Sequence, residues 1–239
     1  MTLLTALTLV AAHAGSGDEI LSRMDQAMTR GSDYTFAYEA ITLEPGKNPR
    51  SLAFDVELKG DKRLVAFKAP GDVKGTRVLV LERNQMYVYV PAYRKVRRVA
   101  SHVTEQGFMG TAFSYEDIST ALYAPVFEAE LASETHAVWK LVLTPREGVE
   151  TPYSRLEVEV DKTLVLPLTA RYYSGSGDHL KTQTFGELQC QEDVCAPMVM
   201  KMVDHSRGDA ETTLTAQDWA VNNGLPDSRF TVRELQRGE

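Results

Sequence analysis

The sequence predicts a mainly β protein with helices, built around one curved antiparallel sheet. Short runs of alternating apolar and polar residues succeed one another from Tyr34 to Trp219, and turn-forming Gly, Pro, Asn and Asp residues separate them. Only two stretches break that rhythm with helical spacing, one ahead of the runs and one in their middle. The resulting order is helix, sheet, helical insert, sheet. No Pro/Gly/Ser-rich linker divides it, so residues 15–239 are predicted to form a single domain.

Met1 to Ala14 is apolar and carries no formal charge apart from His13, and Ala12-His13-Ala14 places small residues where a signal peptidase needs them. Residues 1–14 therefore read as a signal peptide cleaved after Ala14, with Gly15-Ser16-Gly17 as a flexible start of the exported chain. A short buried N-terminal helix is the alternative. A membrane span is not, because it needs about 20 apolar residues. Asp18 to Arg30 then sets Ile20, Leu21, Met24, Ala27 and Met28 at helical spacing, with Asp18 and Glu19 in the first turn and Gly31 as the stop.

Tyr34–Tyr38, Leu52–Leu58 and Leu64–Phe67 read as a strand meander, separated by turns at Pro45 to Pro49 and at Gly60-Asp61. Val78–Leu81 and Met86–Val90 flank a hairpin at Glu82 to Gln85, and sheet continues through Tyr93 to about Ala100. From Ser101 to Leu131 the alternation stops: Gly107 and Gly110 bracket Phe108-Met109, and Phe113 to Ile118 begins a helical stretch with Ser114 as N-cap and Asp117 at its third position. Sheet resumes with Val138–Thr144, Ser154–Val160, Leu164–Tyr173, Leu180–Leu188, Pro197–Val203 and Glu211–Trp219. The tail, Leu225 to Phe230, reads as a closing loop or strand.

A net charge of −7 argues against nucleic acid as a partner, since phosphate neutralisation needs a basic surface. No enzyme constellation is visible. There is no Gly-x-Ser-x-Gly elbow, Ser174-Gly175-Ser176-Gly177 being a turn between strands, and no phosphate-binding glycine loop. The five histidines lack metal-ligand spacing, and Glu116 and Asp117, adjacent on a helix, point about 100° apart and do not converge on one bond. The expectation is a non-enzymatic protein without cofactor or metal. Cys190 and Cys195, with four residues between them, suit a disulfide across a hairpin tip in an oxidising compartment; the extra ligands of a metal site and the Cys-x-x-Cys of a redox pair are both missing.

Two features invite binding. Arg94, Lys95, Arg97 and Arg98 form a basic cluster on an acidic chain, either an edge-strand guard against aggregation or a docking patch for an acidic partner or lipid headgroups. Alternation also puts Leu52, Phe54, Val56 and Leu58 on one strand face, Trp139, Leu141 and Leu143 on another, and Leu156, Val158 and Val160 on a third. Met198, Met200 and Met202 form a fourth, and methionine adapts to variable apolar guests. A curled sheet with such faces either fills its interior as a core or leaves a cavity.

Tyr89-Val-Pro91-Ala-Tyr-Arg94-Lys-Val-Arg-Arg98-Val, followed by Phe108-Met-Gly110-Thr-Ala-Phe113-Ser-Tyr115-Glu-Asp117-Ile, resembles the LolA-like outer-membrane lipoprotein-sorting proteins, especially their envelope branch. The ending Leu225-Pro-Asp-Ser-Arg-Phe230-Thr-Val-Arg-Glu-Leu235 is similar to that branch as well. The resemblance implies an incomplete antiparallel β-barrel (LolA/LolB-like) covered by an N-terminal helix and a helical insert, enclosing a hydrophobic cavity. It implies a monomeric periplasmic carrier of lipid or acylated lipoprotein, loaded from an inner-membrane lipid exporter and unloaded to an outer-membrane acceptor. Phe54, Val56, Leu58, Trp139, Leu141, Leu143, Met198, Met200 and Met202 would line the cavity. Gly107 to Gly110, with Phe113 and Tyr115, would form its lid. The family's classical carrier has an arginine that holds the lid closed, and no residue of this chain is assigned to it from sequence. An RseB-like regulatory or scaffold module of the same fold, binding a protein partner, is the alternative.

Overall fold

The computed structural model describes residues 16–83, 85–100 and 106–237, so the signal-peptide segment 1–14 lies outside the described residues. Helix α1 (Gly17–Met28) leads into six strands, β1 (Tyr34–Leu43), β2 (Arg50–Lys59), β3 (Lys62–Ala69), β4 (Arg77–Val80), β5 (Met86–Val90) and β6 (Lys95–Arg98). An insert carrying a 3₁₀ turn at Phe108–Gly110 and helix α2 (Tyr115–Ser119) follows. Then come β7 (Phe127–Glu134), β8 (Val138–Pro145), β9 (Arg155–Asp161) and β10 (Pro167–Tyr173). β11 (His179–Gln191), β12 (Val194–Asp204), β13 (Ala210–Val221) and helix α3 (Val232–Arg237) complete the order.

All thirteen strands belong to one antiparallel sheet in the order β6-β5-β4-β3-β2-β1-β13-β12-β11-β10-β9-β8-β7. The chain enters at the centre, meanders out to β6, crosses to the opposite edge at β7 and meanders back until β13 pairs with β1. The edges β6 and β7 do not pair, so the barrel is not closed. One contiguous core draws on Val78 and Met86 near one edge and on Leu141 and Leu156 near the other, which requires the sheet to curl over itself.

Strand chemistry explains the curl. In β1, Tyr34, Phe36, Tyr38, Ala40 and Thr42 point inward in strict alternation, and the register against β13 shifts between Ala37 and Tyr38, a bulge that adds twist. Helix α1 packs its buried Ile20, Leu21 and Met24 against β7, β8 and β12. Ser16 and Glu19 form a reciprocal capping box at its start. The stretch Gly15-Ser16-Gly17, expected as a flexible leader, is thus corrected from Ser16 onward: a Cβ on Gly17 would stand 2.2 Å from the Ala129 carbonyl oxygen, so helix and strand approach too closely for any other residue.

Two elements differ from the sequence reading. The segment 101–131 was expected to be insert throughout, but β7 begins at Phe127. Its sequence Phe-Glu-Ala-Glu-Leu-Ala-Ser-Glu is rich in helix formers, and as an edge strand it buries only Phe127 fully, so alternation is weak. The tail from Leu225 to Phe230 is a loop with a 3₁₀ turn at Asp227–Arg229, but beyond it an unexpected helix α3 begins, its first turn capped by Thr231 Oγ1 accepting from Glu234 N at 3.1 Å. Phe230 and Leu235 pack with Leu64 and Leu79 in a second small core. Val65, Val78 and Val80 belong to the main core, so β3 and β4 are buried on both faces.

Candidate functional site

The concave face carries a ladder of rings. Tyr34, Phe36 and Tyr38 of β1 follow one another at 6.3 and 5.2 Å between centroids, and the series continues to Phe54 (5.9 Å) and Phe67 (5.3 Å). It then passes to Phe108 of the insert (5.9 Å) and ends edge-on at Tyr115 (5.2 Å). Alternation along adjacent strands brings these rings to one side, where aromatic pairs add to their area burial.

Between this ladder and the facing strands lies a cavity of about 200 Å³. Tyr34, Phe36 and Tyr38 border it from β1, and Phe54, Val56 and Leu58 from β2. Phe185, Met200 and Leu214 face them from β11, β12 and β13, while Phe108, Phe113 and Ile118 of the insert roof it. Arg63 of β3 is the charged residue on this otherwise almost wholly apolar wall.

The proposed lining residues therefore separate. Phe54, Val56, Leu58 and Met200 are on the wall. Leu141, Leu143, Met198 and Met202 are off it, fully buried in the core that contains the apolar face of α1. Trp139 is off it too, its ring bracketed by Arg23 of α1 at 5.2 Å and Lys162 at 5.3 Å. The physical reason is coverage: α1 fills the concave face over β7, β8 and β12, whereas the short insert spans its part of the face without filling it.

Of the proposed lid residues, Phe108 and Phe113 reach the cavity, while Tyr115 packs behind Phe108. Met109 and Gly110 take left-handed backbone at φ 51° and 83°, which folds the turn tightly. A Cβ on Gly107 would meet Arg207 Nη1 and the Thr111 carbonyl oxygen, each at 2.9 Å. Arg94, Lys95, Arg97 and Arg98 are exposed around the edge strand β6, away from the cavity wall. Cys190 and Cys195 are joined as a disulfide between directly paired residues of the β11–β12 hairpin.

Polar contacts pin the insert along its length. Asp117 of α2 pairs with Lys181 of β11 at 2.6 Å and accepts from Tyr153 Oη at 2.5 Å, with both charged side chains buried. Burial first, and the Asp117 charge second, push the Tyr153 hydroxyl well above its ordinary pKa, so it stays a donor. Glu116 turns the other way, to Arg83 of the β4–β5 hairpin at 2.7 Å. Arg207 donates to the Thr111 carbonyl at 2.7 Å, and Asp25 of α1 accepts from the Tyr123 and Ala124 amides at 3.0 and 2.7 Å. Burial raises the Asp25 pKa against the opposing pull of those two amides.

Sequence reasoning missed Arg63. Its guanidinium donates to the carbonyls of Ile118 (2.9 Å) and Thr120 (3.2 Å), at the end of α2, and burial lowers its pKa below the ordinary arginine value. Beside the Gly60-Asp61 turn it reads as a surface charge; only its place on the same strand face as Val65 and Phe67 signals otherwise.

A family model described as "uncharacterized protein" matches residues 59–237, more than half of the chain. No curated protein matches the chain. Among solved structures, a DUF1329 family protein from Desulfovibrio piger is 26% identical with a TM-score of 0.83, the alignment covering 92% of this chain and 97% of that one. An outer membrane lipoprotein-sorting protein domain from Vibrio parahaemolyticus is also 26% identical, with a TM-score of 0.81 and coverage of 92% and 98%. A LolA superfamily protein from Nitrosomonas europaea, 21% identical over 92% of this chain and 100% of its own, shares the fold with a TM-score of 0.76. The chain belongs to the family that the matching model describes, and it shares its fold with the outer membrane lipoprotein-sorting protein domain and the LolA superfamily protein.

Proposed function

We propose that the protein is a periplasmic carrier that shelters lipid, or the acyl chains of lipoproteins, in its cavity for transfer toward the outer membrane. The observation that carries this reading is the apolar hollow of about 200 Å³ under the insert, bordered by Phe54, Val56, Leu58 and Met200. A sheltered chain gains about 0.8 kcal/mol for each methylene withdrawn from water, so such a hollow competes with a membrane without any catalytic step. A cavity of about 150 Å³ takes a benzene-sized guest. The hollow in this form accordingly holds the end of a chain, and full loading requires the insert to move outward. Among the described residues no helix is long and apolar enough to cross a membrane, in keeping with a carrier that moves between two of them.

The test is native mass spectrometry of protein purified from an envelope fraction, paired with binding of a labelled acyl probe. Bound lipid and probe affinity in the wild type, both lost in Val56→Trp, are the expected results. A protein that emerges empty and ignores the probe is no carrier. One that retains a specific protein partner in Val56→Trp is instead an RseB-like regulatory module.

A further inference from the structure

Arg63 is at odds with its surroundings. It borders an apolar cavity, yet its guanidinium is satisfied only by two neutral carbonyls, Ile118 at 2.9 Å and Thr120 at 3.2 Å. Among the described residues no carboxylate lies within ion-pair reach of it. The other cations that hold α2 are paired: Arg83 with Glu116 and Lys181 with Asp117, each within 2.7 Å. Arg63 is half-buried, and a charge partly withdrawn from water and met only by neutral acceptors is stabilised further by a counter-charge. Tyr38 borders the same cavity, and burial keeps its hydroxyl protonated and able to donate.

We infer that the ligand of this cavity is a single-chain acidic lipid whose carboxylate or phosphate head pairs with Arg63 while its tail lies along Phe54, Val56 and Leu58. The inference rests on the carrier reading and deepens it by naming the chemistry of the head. The planar guanidinium fork matches two oxygens of a carboxylate or phosphate and binds them more strongly than neutral carbonyls. A head arriving there replaces Ile118 and Thr120 as partners of Arg63, which frees the end of α2 and lets the insert rise over the tail. A hollow of about 200 Å³ favours one chain over two.

Isothermal titration of the whole protein with laurate, dodecyl phosphate, lauramide and dodecanol compares one tail length under four heads. Laurate or dodecyl phosphate, or both, should bind about tenfold or more tightly than lauramide and dodecanol, the ratio that one charge-assisted pair supplies. Preference for one acidic head alone says which source of oxyanion fits and supports the inference. In Arg63→Met the acids should fall to the affinity of the neutral tails, and in Arg63→Lys part of the preference should return. Because the head series on the wild type needs no variant, a variant that fails to fold does not rescue the idea. Equal affinity for all four ligands overturns the acidic-head inference and leaves the carrier reading standing. Binding of none overturns both.

Discussion

The concave face of this sheet is covered in two ways. Over β7, β8 and β12, helix α1 presents an apolar stripe of Ile20, Leu21 and Met24 and fills the space down to Leu141, Leu143, Met198 and Met202. Over the face of β1 and β2, the insert offers Phe108, Phe113 and Ile118 but leaves a hollow beneath them. The difference is one of how each cover is held. An amphipathic helix is held by the surface it buries, so it has to sit down into the core. The insert is suspended by charges and carbonyls at Lys181, Arg83, Arg63, Arg207 and Asp25, so it can span a gap. Polar suspension along the insert is what permits an apolar void beneath it.

Removing a suspension point should have the largest effect. Lys181→Met leaves Asp117 buried and without its counter-charge, and should lower stability in urea unfolding by about 3–5 kcal/mol. A loss below about 1 kcal/mol would mean that the roof is not pinned electrostatically. Next comes truncation of one side chain in each half. Leu143→Ala under α1 should cost about 2–5 kcal/mol, whereas Leu58→Ala, already partly exposed on the cavity wall, should cost less than about 2 kcal/mol. Equal losses would erase the distinction between packed and hollow.

Enlargement should run the other way. Val56→Trp grows into vacant space and should shift stability by no more than about 1 kcal/mol, while Val158→Trp, in the packed core, should cost about 1–3 kcal/mol or more. The same unfolding curves decide it. The smallest effect concerns Asp25, the tie between the two covers. Its carboxyl is raised above the ordinary value of 3.8, so the folded form holds its proton longer than the unfolded chain. This group's contribution is therefore present at acid pH and declines as pH rises from about 3.8 through the folded value. The stability difference between wild type and Asp25→Asn should be greatest at the acid end of a pH series and shrink toward neutrality. A flat difference would show that Asp25 is not buried as described.

The succession of elements was legible because alternation and turn residues are local signals, and Ile20, Leu21 and Met24 announced α1 by spacing alone. The faces of β2, β8 and β12 were legible for the same reason. What alternation cannot tell is which part of a face will be covered by what, and so Leu143 and Leu58 looked alike. Edge position hid β7, since a strand with one neighbour and glutamates at 128, 130 and 134 can be written in helix formers. The brevity of α3 hid it, although Thr231-Val-Arg-Glu234 is a capping pattern that marks its start. Arg63 had no motif to give it away; its meaning comes from carbonyls 55 and 57 residues further along.

The connectivity has a mechanical consequence. Both termini of the sheet meet at its middle, where β1 lies against β13, while the two margins are joined by the insert and by Arg83 of the β4–β5 hairpin, which also donates to the Glu150 carbonyl between β8 and β9. Spreading the margins and lifting the roof are therefore one movement, and the sheet can widen its mouth without surrendering a single strand pairing. Hydrogen exchange upon loading should accordingly change in residues 106–126 and stay constant along β1, β2 and β13. Exchange that quickens in those strands would show a sheet that opens by breaking its ladder instead of by swinging its edges apart.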